Sequence, residues 1–305
     1  MKSLGLVLAL VAASAACAFD SEAWLVRRER FAADAARLEA AYAKYAAAAL
    51  TPAENLELPV ESWSNGAIRV SVAAARAQFF LADGFIWGED VKVRQFREDG
   101  TVEALIDADS CILDRNSRCG WTGSRAFAKY GGDVTIEGTN VYFRFDERYV
   151  RIADKATIVY GEDRLTSRQV DYDSQAGVVM FERDVRLRHR ERDEVFDIAA
   201  ARAFAFLAGT NDLRRIVALG GVRFASGDRS GECERAVYSR ATSLLKLYGA
   251  PGASARLRDE GERKGSLAGS LIRYNVDSGE VEVFDSQLSF ETEGMKLPTG
   301  GKRDE

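Results

Sequence analysis

The chain has 305 residues, enough to bury a large core, and all-β domains of this size occur as single units. Its 47% hydrophobic and 29% charged content is that of an ordinary folded protein, and a net charge of −5 argues against a general nucleic-acid role. Only 4 prolines accompany 26 glycines, a balance that suits glycine-marked turns in a sheet.

The first residues, Met1-Lys2-Ser3, precede an apolar run from Leu4 to Ala13 and then Ala16-Cys17-Ala18. A basic start, a short apolar stretch and small residues at the end predict a secretory signal peptide over 1–18. The apolar run is too short to span a bilayer. Ser14 stands where a lipoprotein signal usually carries leucine, which argues against lipidation of Cys17 and for a cleaved, exported chain.

A helix is predicted from Asp20 or Ser21 to about Ala49, within an N-terminal helix-and-linker segment of 19–66. Trp24, Phe31, Leu38 and Tyr45 recur at every seventh position, with Ala35 and Tyr42 between them and Arg28 breaking the series. The stripe can dock on a partner or membrane surface, or pack over one end of the protein's own sheet. The second is favoured, because an alanine-rich helix gains its stability from packing. Thr51-Pro52-Ala53-Glu54 has the spelling of a capping box with proline at the first helical position, so a further short helical turn is expected. Pro59 ends it, and Glu61–Gly66 reads as a linker.

From Ala67 onward the pattern is that of strands. Cys111 and Cys119 flank a stretch centred on Arg115, and a hairpin there would place them opposite each other as a disulfide. In an exported protein such a bridge is expected. Cys233 remains as the odd thiol. With one histidine and no close Cys-x-x-Cys pair, no metal site or cofactor is expected.

Arg168–Leu187 carries Val170/Tyr172, a turn at Asp173-Ser174-Gln175, Val179/Phe181, and then Val185/Leu187. Arg202–Phe224 carries Phe204/Phe206, a turn at Gly209–Asp212, and then Gly220-Gly221-Val222-Arg223-Phe224, where the paired glycines read as a strand step or bulge. Arg235–Leu257 repeats the unit through Tyr238, Leu245 and Leu247. The sharpest copy is Leu267–Phe290: Ile272, Tyr274 and Val276 alternate with polar residues, Asp277-Ser278-Gly279 signals a hairpin, and Val281, Val283, Leu288 and Phe290 continue. Fainter copies lie at Gln78–Val93 and Asn140–Ile158. The period is about 30 residues.

These units, best seen at Tyr172–Leu187 and Tyr274–Phe290, resemble the OstA-like family of periplasmic lipopolysaccharide-transport proteins, LptA and LptC among them. The resemblance implies an all-β fold, a twisted antiparallel β-jellyroll or half-pipe over 67–291, preceded here by the helix and followed by a flexible tail at 292–305. It also implies a periplasmic carrier or bridge that binds lipopolysaccharide through lipid A and joins other jellyrolls by edge-strand pairing. No bond chemistry is implied.

The residues themselves offer an apolar face: Tyr172, Val185 and Leu187, then Phe204, Phe206, Val222 and Phe224, then Tyr238, Leu245 and Leu247, and finally Tyr274, Val281, Val283, Leu288 and Phe290. With no later helix to cover it, the sheet must fold over on itself. Walls held apart would leave a trough for acyl chains, and walls in full contact would make a structural or adhesive protein with a closed core. Arg186, Arg188 and Arg190 share one strand face and could grip head-group phosphates at the rim of such a trough, or form a solvated outer face. His189 lies among these charges without a nucleophile signature. Asp171/Asp173 and Asp107/Asp109 are same-face carboxylate pairs. They suit the wet face of a strand, or the acid–base pair of a β-helical enzyme on acidic polysaccharide.

Overall fold

The structure, a computed structural model, describes residues 21–48, 52–130, 134–191, 194–208, 212–261 and 265–286. The signal-peptide and tail segments lie outside these residues. One helix, α1 (Ser21–Ala46), precedes a single antiparallel sheet. Its first strands are β1 (Ala53–Ser62), β2 (Ile68–Phe80), β3 (Phe85–Phe96), β4 (Val102–Asp114), β5 (Cys119–Tyr130), β6 (Val134–Arg144) and β7 (Tyr149–Tyr160). Then follow β8 (Asp163–Ser167), β9 (Gln169–Asp173), β10 (Val178–Glu191), β11 (Glu194–Ala208), β12 (Asp212–Ser226) and β13 (Arg229–Ser239). The last are β14 (Leu244–Tyr248), β15 (Ala255–Asp259), β16 (Gly265–Gly269), β17 (Leu271–Asn275) and β18 (Val281–Phe284). Pairing follows the chain as a meander. β8 and β9 together form one rung between β7 and β10, and β14/β15 and β16/β17 form two more.

From β4 to β13 the long paired strands are interrupted near their middles. The register slips between Ala108 and Ile112, Thr122 and Arg125, Glu137 and Thr139, Glu182 and Val185, Ala199 and Arg202, and Leu219 and Val222. Left-handed residues mark the same line: Asn140 (φ 55°), Lys155 (φ 51°), Asp184 (φ 55°), Gly220 (φ 79°) and Gly221 (φ 56°). A bulge adds a residue to one strand, bends it and sharpens its twist. Aligned from rung to rung, these bulges form a seam that divides each strand into two halves and folds the sheet over. The half on the Asp114–Cys119 hairpin side is called wall B, and the other half wall A.

The inner faces of the walls meet in three successive apolar clusters, each drawing on both halves of its strands. The first contains Val70, Val72, Val91 and Val93 of wall A with Ile86, Leu113 and Phe143 of wall B. The middle one joins Val185 and Ala156 to Val141, Ile152, Val170 and Phe181. The third joins Val222, Ala255 and Leu257 to Ala218, Leu247 and Ile272. This is the folded antiparallel half-pipe expected from the sequence.

Helix α1 lies on the outside of wall B. Phe31 and Leu38 are fully buried, and Trp24 and Tyr45 nearly so. The stripe packs on Trp87, Ile112, Trp121, Tyr142 and Tyr149, with the Phe31 and Tyr149 ring centroids 4.1 Å apart. One heptad advances a helix about 10.5 Å, close to the spacing of two strands at about 9.6 Å. Each stripe residue therefore meets the sheet two rungs from the last. Tyr45 stacks near Phe80 and Phe85, and Trp24 meets Phe204. At Gly123 a Cβ would stand 2.8 Å from the Tyr42 ring, so a glycine is required where the helix crosses β5.

Two expectations are corrected. Ala53 and Glu54 begin a strand rather than a helical turn, because β1 pairs with β2 from Ala53↔Ala77 to Ser62↔Ile68, and its Leu56 and Leu58 cover the first cluster. Tertiary pairing overrides the capping-box spelling. Cys111 and Cys119 are free and buried. The hairpin turns around Asn116 and Ser117, whose amides donate to Asp114 Oδ1 at 2.9 and 3.1 Å, so Cys119 sits opposite Asp114. An odd shift in register sends the two thiols to opposite faces. Cys111 enters the first interior cluster and Cys119 faces the helix.

Truncating Phe31 to alanine should lower unfolding free energy by about 3–5 kcal/mol, and Leu38→Ala by about 2–5 kcal/mol, in urea titrations. Burial pushes the Cys119 thiol up to about 11 and the Cys233 thiol up to about 12. Iodoacetamide should therefore label both, and Cys111, only after unfolding, and peptide mapping without reductant should recover Cys111 and Cys119 unlinked.

Candidate functional site

The interior face combines most of the apolar residues predicted for it. Val185 and Leu187 line wall A in the middle of the trough, with Leu187 opposite Leu165 and Ile198. Val222 and Phe224 line wall A in the third cluster, facing Leu245, Leu247 and Val283 of wall B. Tyr238, Leu245 and Tyr274 form a cross-strand row on wall B. Tyr172 projects inward beside Val150 and Val179, and burial raises its phenol. Val281 is at the sheet edge and 37% exposed. Leu288 and Phe290 lie outside the described residues.

Phe204 and Phe206 do not join this row. In β11 the inward positions are Ala203 and Ala205, and the two phenylalanines point outward beneath Trp24, with Val178 and Met180. Rings 204 and 206 stack at 6.4 Å. The alternation suggested by the aromatics selects the helix-facing side, because both faces of wall B are apolar. Much of the interior is instead alanine: Ala108, Ala126, Ala156, Ala200, Ala203, Ala218, Ala236 and Ala255 are buried there. Small side chains let the walls approach, and the sequence marks few of them: Ala108 and Ala156 stand between polar residues, but Ala200 and Ala218 stand between apolar ones.

Opposite the seam is the mouth, between the two sets of hairpins. There Arg229, at the wall A tip of β13, reaches across to wall B. Its Nη1 donates to the Tyr274 hydroxyl at 2.7 Å, its guanidinium sits 5.6 Å from that ring, and its Nε donates to Asp259 at 3.3 Å. Among the described residues, no backbone hydrogen bond joins the walls across the mouth. The walls meet there through side chains alone.

Arg186, Arg188 and Arg190 lie on the outer face of wall A and point away from the space between the walls, with Arg190 close to the tip of β10. Arg188 pairs with Asp197 at 3.0 Å and Arg190 with Glu162 at 3.5 Å. Beside them an open cleft of about 620 Å³ is lined by Arg188, Arg190, Val195, Asp197 and Gly227. His189 Nδ1 is 2.8 Å from Asp163 Oδ1.

The carboxylates Asp171 and Asp173 are fully buried under the helix, not on a wet face. Asp171 accepts from Arg28 at 3.0 Å, Arg151 at 2.8 Å and Gln169 at 3.0 Å, and from the Tyr149 hydroxyl. Asp173 pairs with Arg27 at 3.2 Å and accepts from the Ala176 amide at 3.0 Å. Arg28, which broke the apolar stripe, is thus the residue that locks the helix onto β9. Asp107 is half-buried, 4.0 Å from Lys92. No group of three or more metal-ligating side chains occurs among the described residues, and none of their helices is long and apolar enough to cross a membrane.

No family model matches the chain, and no curated protein matches it in sequence. Among solved structures the chain is similar to "LptH, the LptA homologous periplasmic component of the conserved lipopolysaccharide transport device from Pseudomonas aeruginosa". The identity is 13%, the TM-score 0.23, and the match covers 53% of this chain and 91% of that one. At this TM-score the likeness adds nothing to the fold established by the strand pairings.

Burial holds the Asp173 carboxyl above its ordinary 3.8, against the downward pull of the Ala176 amide and Arg27. The folded state then binds the proton more tightly than the unfolded chain. Stability should rise on acidification through the window from the raised value down to 3.8. Asp173→Asn should lose that segment of the pH dependence, measured as unfolding free energies at successive pH values.

Proposed function

We propose that the chain is a periplasmic carrier or bridge segment for lipopolysaccharide, holding acyl chains between its two walls while the sugar and phosphate head stays in water. The observation that carries this reading is the construction of the trough. Two apolar walls are hinged along a bulged seam and tied at the mouth by side chains only, as in the Arg229–Tyr274 contact. An acyl chain entering there exchanges wall-to-wall apolar contact for wall-to-lipid contact. Each buried CH₂ contributes roughly 0.8 kcal/mol, so the exchange is close to balanced and reversible. Tyr172, Val185, Leu187, Val222, Phe224, Tyr238, Leu245, Leu247, Tyr274 and Val283 are the proposed lipid contacts. β1 and β18 each have a neighbour on one side only among the described residues, which leaves edges for strand addition by another jellyroll.

A second reading, a structural protein with a closed core, is favoured by the complete burial of Leu247, Ala255 and Ile272 between the walls. The two separate on one experiment. A photo-crosslinking residue replaces Leu245 inside the trough or Phe206 under the helix, in cells that make lipopolysaccharide. The carrier gives a lipopolysaccharide adduct at 245 and none at 206, with lipid A found by mass spectrometry in the purified protein. Equal labelling, or lipid-free protein without an adduct at 245, leaves the closed-core reading.

A further inference from the structure

The outer face of wall A is a cationic surface that neither the trough nor the helix uses. Two rows of side chains cross it between β8 and β15. In one row Arg186 faces Ala199, which faces Arg223, then Glu232 and Arg256. In the next, Arg164 stands directly opposite Arg188, followed by Asp197, Ala225, Ser230 and Arg258. All these arginines are exposed. Their strand neighbours Leu165, Val185, Val222 and Leu257 point into the core, which fixes the direction of the guanidinium groups.

Three features set this face apart from an ordinary solvated one. Arg164, Arg186 and Arg223 make no salt bridge among the described residues, whereas Arg188 and Arg256 pair with Asp197 and Glu232. Like charges directly opposite on neighbouring strands destabilise a sheet, and at the Arg164 and Arg188 pair Asp197 meets only the Arg188 guanidinium, which leaves the Arg164 charge uncompensated. The corresponding face nearer the N-terminus is balanced instead: Arg94 pairs with Glu57, and Arg125 with Glu137. Positive charge in excess is therefore concentrated on one end of one wall, in a chain whose net charge is −5.

The shape of the patch identifies its counterpart. Arg186 and Arg223 are two strands apart, about 10 Å, and the patch spans about 24 Å from β8 to β15. The guanidinium groups do not converge on one point, so no single phosphate could bridge them. Small residues between them, Ala199, Ala225 and Ser230, leave the guanidinium groups as the most protruding atoms. No aromatic ring interleaves with these rows, so the stacking platforms that single-stranded nucleic acid uses are missing. An extended array of phosphates on a plane satisfies this geometry.

We infer that this outer face of wall A docks on the surface of an anionic phospholipid bilayer, leaving helix α1 on the far side. Each arginine close to such a surface adds to binding, and salt weakens it. The full chain should therefore sediment with vesicles of one part phosphatidylglycerol to three parts phosphatidylcholine at low salt, and not with phosphatidylcholine alone. Arg164→Gln/Arg186→Gln/Arg223→Gln should bind about a hundredfold more weakly, with an unchanged unfolding midpoint, and the corresponding charge-reversed glutamate variant should not bind. Equal binding by wild type and the glutamine variant, indifference to vesicle charge, or tighter arginine-dependent binding to single-stranded RNA would each overturn the inference. The lipid content of the trough is read separately by mass spectrometry on the same variants. Failure here thus leaves the carrier reading standing, and the converse also holds.

Discussion

Every other feature of the architecture depends on the bulged seam. A flat meander of this many strands would present two long apolar surfaces to water. Extra residues placed in line across the pairings from β4 to β13 bend the sheet so that half of each of these strands covers the other half. The bend is achieved by forcing non-glycine residues such as Asn140, Lys155 and Asp184 into left-handed backbone, and by the two adjacent glycines of β12. Such conformations are unfavourable in isolation and persist where surrounding packing imposes them. Here that packing is the apposition of Val185 with Phe181 and of Val222 with Leu247 across the fold. The seam also decides which residues are inside. In β11 the inward residues pass from Ile198 and Ala200 to Ala203 and Ala205, an odd step that a simple strand cannot make.

The helix completes what the seam leaves undone. Folding the sheet buries its inner face only, and wall B carries Trp87, Trp121, Tyr142 and Tyr149 on its outside. Helix α1 covers them, and because its heptad rise matches the spacing of two strands, one straight helix can bury a large apolar side chain at alternate rungs. The polar contacts beneath it have a different role. Arg27 and Arg28 meet Asp171 and Asp173 in a place where desolvation offsets most of the attraction, so the pairs add little net stability. They do fix the register, because a helix shifted by one turn would take the Arg27 and Arg28 guanidinium groups away from two buried carboxylates.

Much of this was legible in the sequence and some was not, for identifiable reasons. The heptad stripe, the hairpin at Asp277-Ser278-Gly279 and the bulge at Gly220-Gly221 are local, and each appears in the structure as read. The hairpin turn closes with the Gly279 amide donating to the Asn275 carbonyl at 2.9 Å. Apart from strand β1, the misreadings come from face assignment. Phe204 and Phe206 look like core residues and are, but of the helix-covered face. Cys111 and Cys119 look like a bridge until Asp114 sets the turn and moves the register. Strand β1 was hidden because its pairing partner lies in β2 and nothing in Thr51–Glu54 announces it. The proposed head-group arginines were correctly placed on one strand face, yet which side of a folded sheet that face occupies is decided by the seam.

The two walls differ in what their outer faces allow them to do. Wall B is braced along about 32 Å by the stretch of helix from Trp24 to Tyr45, anchored by rings at each end and by ion pairs at β9. Among the described residues wall A has no such brace, and its outer face ends in charged, solvated side chains. If the trough opens about the seam, the wall that swings is therefore wall A, and Arg229 is the contact that must release, since it belongs to wall A and its acceptor Tyr274 to wall B. The same wall carries the unpaired arginines. The proposed contact of wall A with a phosphate-covered plane and the release of Arg229 from Tyr274 then concern one moving part, because both belong to the wall that no helix holds among the described residues.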